Sequence, residues 1–294
     1  MTRSKLLARS GAVLMTVGAL ATGCSSVSTS SPSQSTQDGK ASTEAARPGD
    51  TASSSSSPAA DAAAPEVGEC RALGYAEISD LSDVTRPKPC AERHTTYTFA
   101  VGTLPDDIAF TGVSIENRAV QDAAAANCRT AFSDFIGGDG ATRALSRLTV
   151  TYFLPDQGSF DAGAHWVRCD VVAMQSEMVL AGLPRELEGF LDDEKHLEQF
   201  GVCSKGEPGS EEFKLVMCTQ QHAYRALAAL RLGTGEAAYP GRQVTKVEGQ
   251  QRCEAALEAE MGSGGGYTYG WTYPTPRDWD GGQRFGYCWH RTVS

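Results

Sequence analysis

Missing from these 294 residues are the short motifs by which several enzyme classes declare themselves: there is no G-x-S-x-G, no H-E-x-x-H and no phosphate-binding G-x-x-x-x-G-K. Basic residues are also scarce, 26 Lys and Arg against 36 Asp and Glu, a formal charge of −10. Such a balance disfavours nucleic acid and anionic lipid as partners and leaves basic proteins or metal ions open. Residues 25–66 lack aromatics altogether and hold one large aliphatic side chain, Val27. A stretch this poor in apolar surface cannot offset the entropy of ordering, so it reads as a disordered Ser/Ala/Pro-rich stalk, averaging about 35 Å end to end.

The apolar run Gly11-Ala-Val-Leu-Met-Thr-Val-Gly-Ala-Leu20 is too short to span a bilayer comfortably. It follows Arg3, Lys5 and Arg9 and precedes Ala21-Thr-Gly-Cys24, which makes residues 1–23 a bacterial lipoprotein signal with Cys24 as the acylated (palmitate-bearing) residue. Without Arg3, Lys5 and Arg9 the formal charge of −10 becomes −13. Of nine cysteines, Cys24 is then set aside and eight remain to pair, none spare as a thiol nucleophile.

Those eight fall into a pattern that occurs twice. Cys70, Cys90, Cys128 and Cys169 are answered by Cys203, Cys218, Cys253 and Cys288. Cys90-Ala-Glu-Arg-His94 matches Cys218-Thr-Gln-Gln-His222, and Pro155, Phe160, Asp161, Gly163 and Cys169 match Pro274, Trp279, Asp280, Gly282 and Cys288 at equal spacing. The chain therefore reads as two copies of one small domain, residues 67–183 and 200–294, joined by a connector at 184–199.

Within the first copy, Tyr97–Leu104 reads as a strand and Asn117–Ile136 as a helix. Val120, Ala124, Cys128, Ala131, Phe132, Phe135 and Ile136 form one apolar stripe, and Gly137-Gly138 ends it. Leu148–Leu154 and His165–Val171 read as a hairpin across a 156–164 loop. The second copy repeats the series at 223–232, 245–261, 267–273 and 284–290. The prediction is α+β, each copy a helix on a small antiparallel sheet. Cys128 in the helix stripe and Cys169 beside Val167 and Val171 both point inward, which favours Cys128–Cys169 and Cys253–Cys288 and leaves Cys70–Cys90 and Cys203–Cys218.

Several features resemble the septum-formation domain of actinobacterial envelope proteins: the entry Val67-Gly-Glu-Cys70, the two Cys-x-x-x-His segments, Tyr273-Pro274 and the ending Trp279-Asp-Gly-Gly-x-Arg-x-x-x-Cys288. The resemblance implies an exported, wall-facing protein linked to division septa. It brings no established catalytic mechanism with it.

The candidate site residues each have a plain reading beside the functional one. His94 and His222 are candidates for contacting a ligand, for pairing with Asp161 or Asp280 in a wall-acting enzyme, or for zinc. In an exported chain the adjacent cysteines favour disulfides, and the histidines then bond backbone carbonyls. Asp161 and Asp280 read as turn-stabilising residues. Strand alternation sets Cys288 inward and Phe285, Tyr287 and Trp289 on the other side, where the first copy has Trp166, Arg168 and Asp170. Two charges there imply a wet face, so the Phe285–Tyr287–Trp289 row is expected to be exposed, as a partner surface or the seam between copies. The expectation is a membrane-anchored, extracytoplasmic lipoprotein that needs no cofactor or metal and binds an envelope or division protein or a cell-wall polymer.

Overall fold

The computed structural model describes residues 63–106, 108, 112–233, 238–262 and 268–292. Cys24, the signal and all but the last residues of the stalk lie outside them, as does Tyr267. Ten strands occur among the described residues: β1 (Cys70–Arg71), β2 (Thr96–Thr103), β3 (Leu148–Phe153), β4 (Trp166–Ser176), β5 (Val179–Leu180), β6 (Val202–Ser204), β7 (Leu215–Met217), β8 (Tyr224–Arg231), β9 (Tyr269–Thr272) and β10 (Phe285–Arg291). The helices are α1 (Arg118–Ile136), α2 (Gly140–Ala144), α3 (Gln157–Asp161), α4 (His196–Phe200), α5 (Gly249–Met261) and α6 (Pro276–Asp280).

Two antiparallel sheets result. The first has the order β1-β2-β4-β3 with β5 on β4, and the second β7-β6-β8-β10-β9. Entry strand, long strand, final strand and third strand thus sit side by side in the same sequence in both. A bulge recurs as well: β2 slips against β4 between Thr98 and Ala100, next to Cys169, and β8 slips against β10 beside Cys288. The bulged strand gains a residue there, Phe99 in the first sheet and Leu227 in the second, and twists over its helix.

Helix α1 forms where the apolar stripe runs. Asn117 caps it by accepting the Ala119 N–H at 2.8 Å. Val120, Ala124, Cys128, Phe132 and Ile136 are buried against β2, β3 and β4, with Ala131 and Phe135 half-covered. Gly137 and Gly138, at φ 77° and 63°, stop it in backbone that L side chains avoid. The second helix departs from the expected single run. Residues Gln243–Glu248 form wide i→i+5 turns and α5 begins only at Gly249. The widening serves Trp271 on β9, whose indole N–H donates to the Thr245 carbonyl at 2.9 Å and whose ring lies where a Cβ on Gly249 would stand. Four cysteine pairs stand at disulfide distance: Cys70–Cys90, Cys128–Cys169, Cys203–Cys218 and Cys253–Cys288, with Cα separations of 5.3, 5.3, 5.0 and 5.4 Å.

The stretch expected as a connector is part of the first core. Leu187 and Leu191 are buried in it, as is Phe200 at the start of the second copy, and Asp192 accepts the Gly138 N–H at 2.8 Å. The sheets also touch directly. Ser146 and Gly201 form an antiparallel bridge, with the Arg147 N–H donating to the Phe200 carbonyl (2.7 Å) and the Val202 N–H to the Leu145 carbonyl (2.9 Å).

Candidate functional site

The two histidines sit in matching turns. His94 Nδ1 lies 2.9 Å from the Glu92 carbonyl and His222 Nδ1 2.7 Å from the Gln220 carbonyl. A carbonyl only accepts, so in both rings Nδ1 carries the proton. The bond ties the ring to the residue two places back and pins the turn that leads from the short-loop disulfide into β2 or β8. His94 is buried, 1% exposed.

The carboxylates expected beside them are elsewhere. Asp161 closes α3, where it accepts from Gln157 Nε2 at 2.7 Å, and α3 feeds the β4 start that pairs with Thr103. His94 precedes Thr96 at the other end of β2, so strand rise alone separates the two by roughly 20 Å. In the second half the arrangement recurs, since His222 precedes Tyr224 while Asp280 leads into Phe285, which pairs with Arg231. Neither couple is brought together. Cys90 and Cys218 are engaged in disulfides and are not thiolate ligands beside the histidines. Among the described residues no group of three or more His, Cys, Asp or Glu is placed to hold a metal ion.

The outer faces of both sheets are covered, which corrects the expected exposure of Arg168, Asp170 and Trp289. Cys169 and Cys288 do point inward, but the loop closed by each short disulfide folds over the opposite face. In the first sheet that loop brings Asp83 to Arg168 (2.8 Å), while Asp170 lies 3.1 Å from the same guanidinium. Arg71 adds contacts to Glu69 (2.6 Å) and Asp83 (3.6 Å), Thr98 Oγ1 donates to Asp170 at 2.8 Å, and Arg168 stacks over the Phe153 ring at 4.1 Å. Burial pushes the Asp170 carboxyl above the usual range against the pull of Arg168. Burial acts the same way on Asp83, yet hydrogen bonds from Thr85 and Arg168 outweigh it and hold that carboxyl below its ordinary value. In the second sheet the same space is apolar. Trp289 is 1% exposed and packs with Val202, Tyr224 and Ala226, Phe213 meets it edge-on at 5.2 Å, and its indole N–H donates to Thr272 Oγ1 at 2.9 Å. Trp289 therefore belongs to the interior, where it also forms part of the floor of a cleft beside Phe213 and Tyr287.

Phe285 and Tyr287, the other two members of the expected partner row, remain half-buried and border open space. A cleft of ≈ 750 Å³ runs between them, α1 and the edge strand β3, and a second of ≈ 870 Å³ continues past them to Arg147 and Phe213. These volumes lie in the range of ligand-binding pockets. The first cleft is lined by Arg129, Arg143, Arg231 and Arg284 and by no carboxylate among the described residues. In the second, Arg147 is largely withdrawn from water, its Nε donating to the Met174 carbonyl at 2.9 Å, and burial lowers its proton affinity. Burial raises the pKa of the Tyr287 hydroxyl in the same wall, despite the Gln283 hydrogen bond and the Arg147 charge. The first cleft is thus a basic seam on an acidic chain, with the hydroxyls of Ser133, Thr149 and Thr151 in its walls, and the second adds Arg277 and Asp278. Sequence reasoning missed these arginines, because they come from four separate elements.

A family model described as Septum formation matches residues 68–288, a single span through both four-cysteine sets, and the chain belongs to this family. No curated protein and no solved structure matches it.

Proposed function

We propose that this septum-formation protein is a non-enzymatic lipoprotein of the cell envelope. Acylated Cys24 holds it at the extracytoplasmic face of the membrane, the 25–66 stalk lifts it clear, and two tandem stapled α+β domains bind a division protein or a cell-wall polymer at the septum. The observation that carries this reading is the family match across residues 68–288. Two others support it: the separation of each histidine from its expected carboxylate by the length of a strand, and an open cleft that offers cationic donors.

The test is imaging of the tagged full chain, and of Cys24→Ala, in dividing cells of the native host, with fractionation of the same cultures. Septal enrichment is expected for the unaltered chain, and Cys24→Ala is expected in the soluble fraction. An even distribution around the cell with no septal maximum sinks the septal assignment. Sedimentation of Cys24→Ala with salt-washed membranes sinks the lipid anchor.

A further inference from the structure

We infer that the cleft between the two sheets is a docking groove for an extended acidic peptide segment of an envelope protein, laid along the edge of β3. The inference deepens the binding role proposed above and rests on it.

Three observations converge on this occupant. The first is the edge itself. Strand β3 is the last in its sheet, and all five residues from Leu148 to Tyr152 border the cleft. Side chains of consecutive strand residues alternate between faces, so five in a row reach one space only if the strand presents its edge to it. The Leu154 N–H leaves the sheet to reach the Leu81 carbonyl at 2.7 Å, and the Met174 N–H crosses from β4 to the Arg147 carbonyl at 2.9 Å. By parity the backbone groups of Val150 and Tyr152 also point away from β4, toward the cleft side.

The second is that the chain's own pairing ahead of β3 breaks off before it reaches this edge. Just before β3, residues 145–147 pair with 200–202 through the Ser146–Gly201 bridge. Carried on in that antiparallel register the pairing would set residues 199 and 197 beside Leu148 and Val150, but there the chain is helix α4, so β3 gains no partner strand from it and the cleft stands alongside. Backbone at an open sheet edge is a template for a further extended chain.

The third is charge. The chain carries a formal −10, yet Arg129, Arg143 and Arg231 line this cleft with no carboxylate among its described lining residues. Arg143 spends donors on the Gly137 and Gly138 carbonyls and Arg284 on that of Trp279. Arg129 and Arg231 are exposed, on opposite walls, Arg231 lying over the Phe285 ring at 5.7 Å. Guanidinium forks on both sides select carboxylates on the occupant, and Val150, Phe132 and Phe285 supply apolar wall for the residues between them. A strand alternating acidic and apolar side chains meets all three conditions, whereas a phosphate polymer would satisfy only the charge.

The test is fluorescence anisotropy of a labelled Glu-Val-Glu-Val-Glu-Val peptide titrated with the full chain, beside its Lys-Val counterpart, a copy N-methylated on alternate amides, and poly(glycerol phosphate). Saturable binding of the Glu-Val peptide alone is expected. N-methylation and the exposed-site double variant Arg129→Glu/Arg231→Glu should each weaken it by about tenfold or more, with the melting temperature unchanged. Absence of saturable Glu-Val binding overturns the inference, as does equal binding of the N-methylated copy, which would leave charge without strand addition. Preference for poly(glycerol phosphate) overturns it in favour of a polymer. Each of these failures leaves the septal imaging result untouched, so the two readings fall separately.

Discussion

Replacing Trp289 by Ala should unfold the second half of the protein more readily than any surface change. The ring is 1% exposed between β10 and the loop closed by Cys203–Cys218, in contact with Val202, Tyr224, Ala226 and Phe213. Truncating a fully buried Trp costs about 3–5 kcal/mol when the site cannot collapse. Here collapse is opposed on one side by a hydrogen-bonded sheet and on the other by a disulfide-tied loop. The Thr272 hydroxyl also loses the indole N–H that it accepts at 2.9 Å, a further cost of about 1 kcal/mol. For a body of this size each kcal/mol lowers the melting temperature by about 2–4 °C, so a fall of about 10–20 °C is expected. The assay is calorimetric unfolding of the full chain under oxidising conditions, with Leu257→Ala on the α5 core face as a reference and Trp289→Phe as the conservative partner. Trp289→Ala should match or exceed Leu257→Ala, and Trp289→Phe should recover more than half of the loss. A shift for Trp289→Ala no larger than about 2 °C would show that the lid does not seal this face and that the ring is available to a partner after all.

Two further predictions follow from the lidded charges and the helix starts. Asp83→Ala removes a buried carboxylate 2.8 Å from the Arg168 guanidinium and leaves it one partner, Asp170, so stability in denaturant should fall by about 3 kcal/mol, and a loss under about 1 kcal/mol would mean that water reaches the cluster. Asp139 and Asp156 cap α2 and α3, Asp278 closes the capping box that Thr275 opens on α6, and hydrogen bonds from Thr142, Ser159 and Thr275 respectively hold their carboxyls below the ordinary value of 3.8. Groups lowered in the folded state stabilise it above that ordinary value and cease to do so as pH falls through their folded values, so the melting temperature should drop between about pH 4 and pH 2. The triple Asn variant keeps the acceptor oxygens without the titration and should lose less over the same interval; an equal loss would place the acid sensitivity elsewhere.

The parts of the fold that repeat at the sequence level were legible because periodicity and burial coincide in them. Helix α1 follows its stripe to the residue, from the Asn117 cap to the Gly137 stop, and β2, β3 and β4 lie within two residues of expectation at their starts. Four strands of two or three residues, β1, β5, β6 and β7, are too short to show a period and went unread. The widened turn before α5 was hidden for a different reason: it answers to Trp271, 26 residues away from Thr245, and no local pattern encodes that demand. The error over Trp289 was of a third kind. Alternation gave its direction correctly, with Cys288 facing the helix. What failed was the step from "outer face" to "wet face", since Arg168 and Asp170 are charged and yet 1% and 0% exposed under a lid of paired ions. Charge in a strand reports the need for a partner, and water is only one of the partners on offer.

The cleft was harder to see than the core, and the reason lies in how its charges are distributed. Arg129 belongs to α1, Arg143 to α2, Arg231 to the end of β8, and Arg284 stands just before β10. Spread over more than a hundred positions of a chain with ten more acidic than basic residues, they leave no basic run for composition to register. Comparison of the two halves did hold one signal. The register pairs Arg231 with Phe285 in the second sheet and Thr103 with Trp166 at the corresponding place in the first, with Arg284 standing where the first half has His165. Two arginines therefore appear in one half only, at the adjoining ends of β8 and β10 beside the cleft. The shared positions of the two halves, the cysteines, the pinned histidines and the bulge, maintain a frame. A cleft built between two such frames is lined by side chains that differ, because only one of them presents its β10 row to the other's edge strand. The asymmetry of Arg231 and Arg284 is what that geometry requires, and it locates the cleft at the one seam where the halves are not interchangeable.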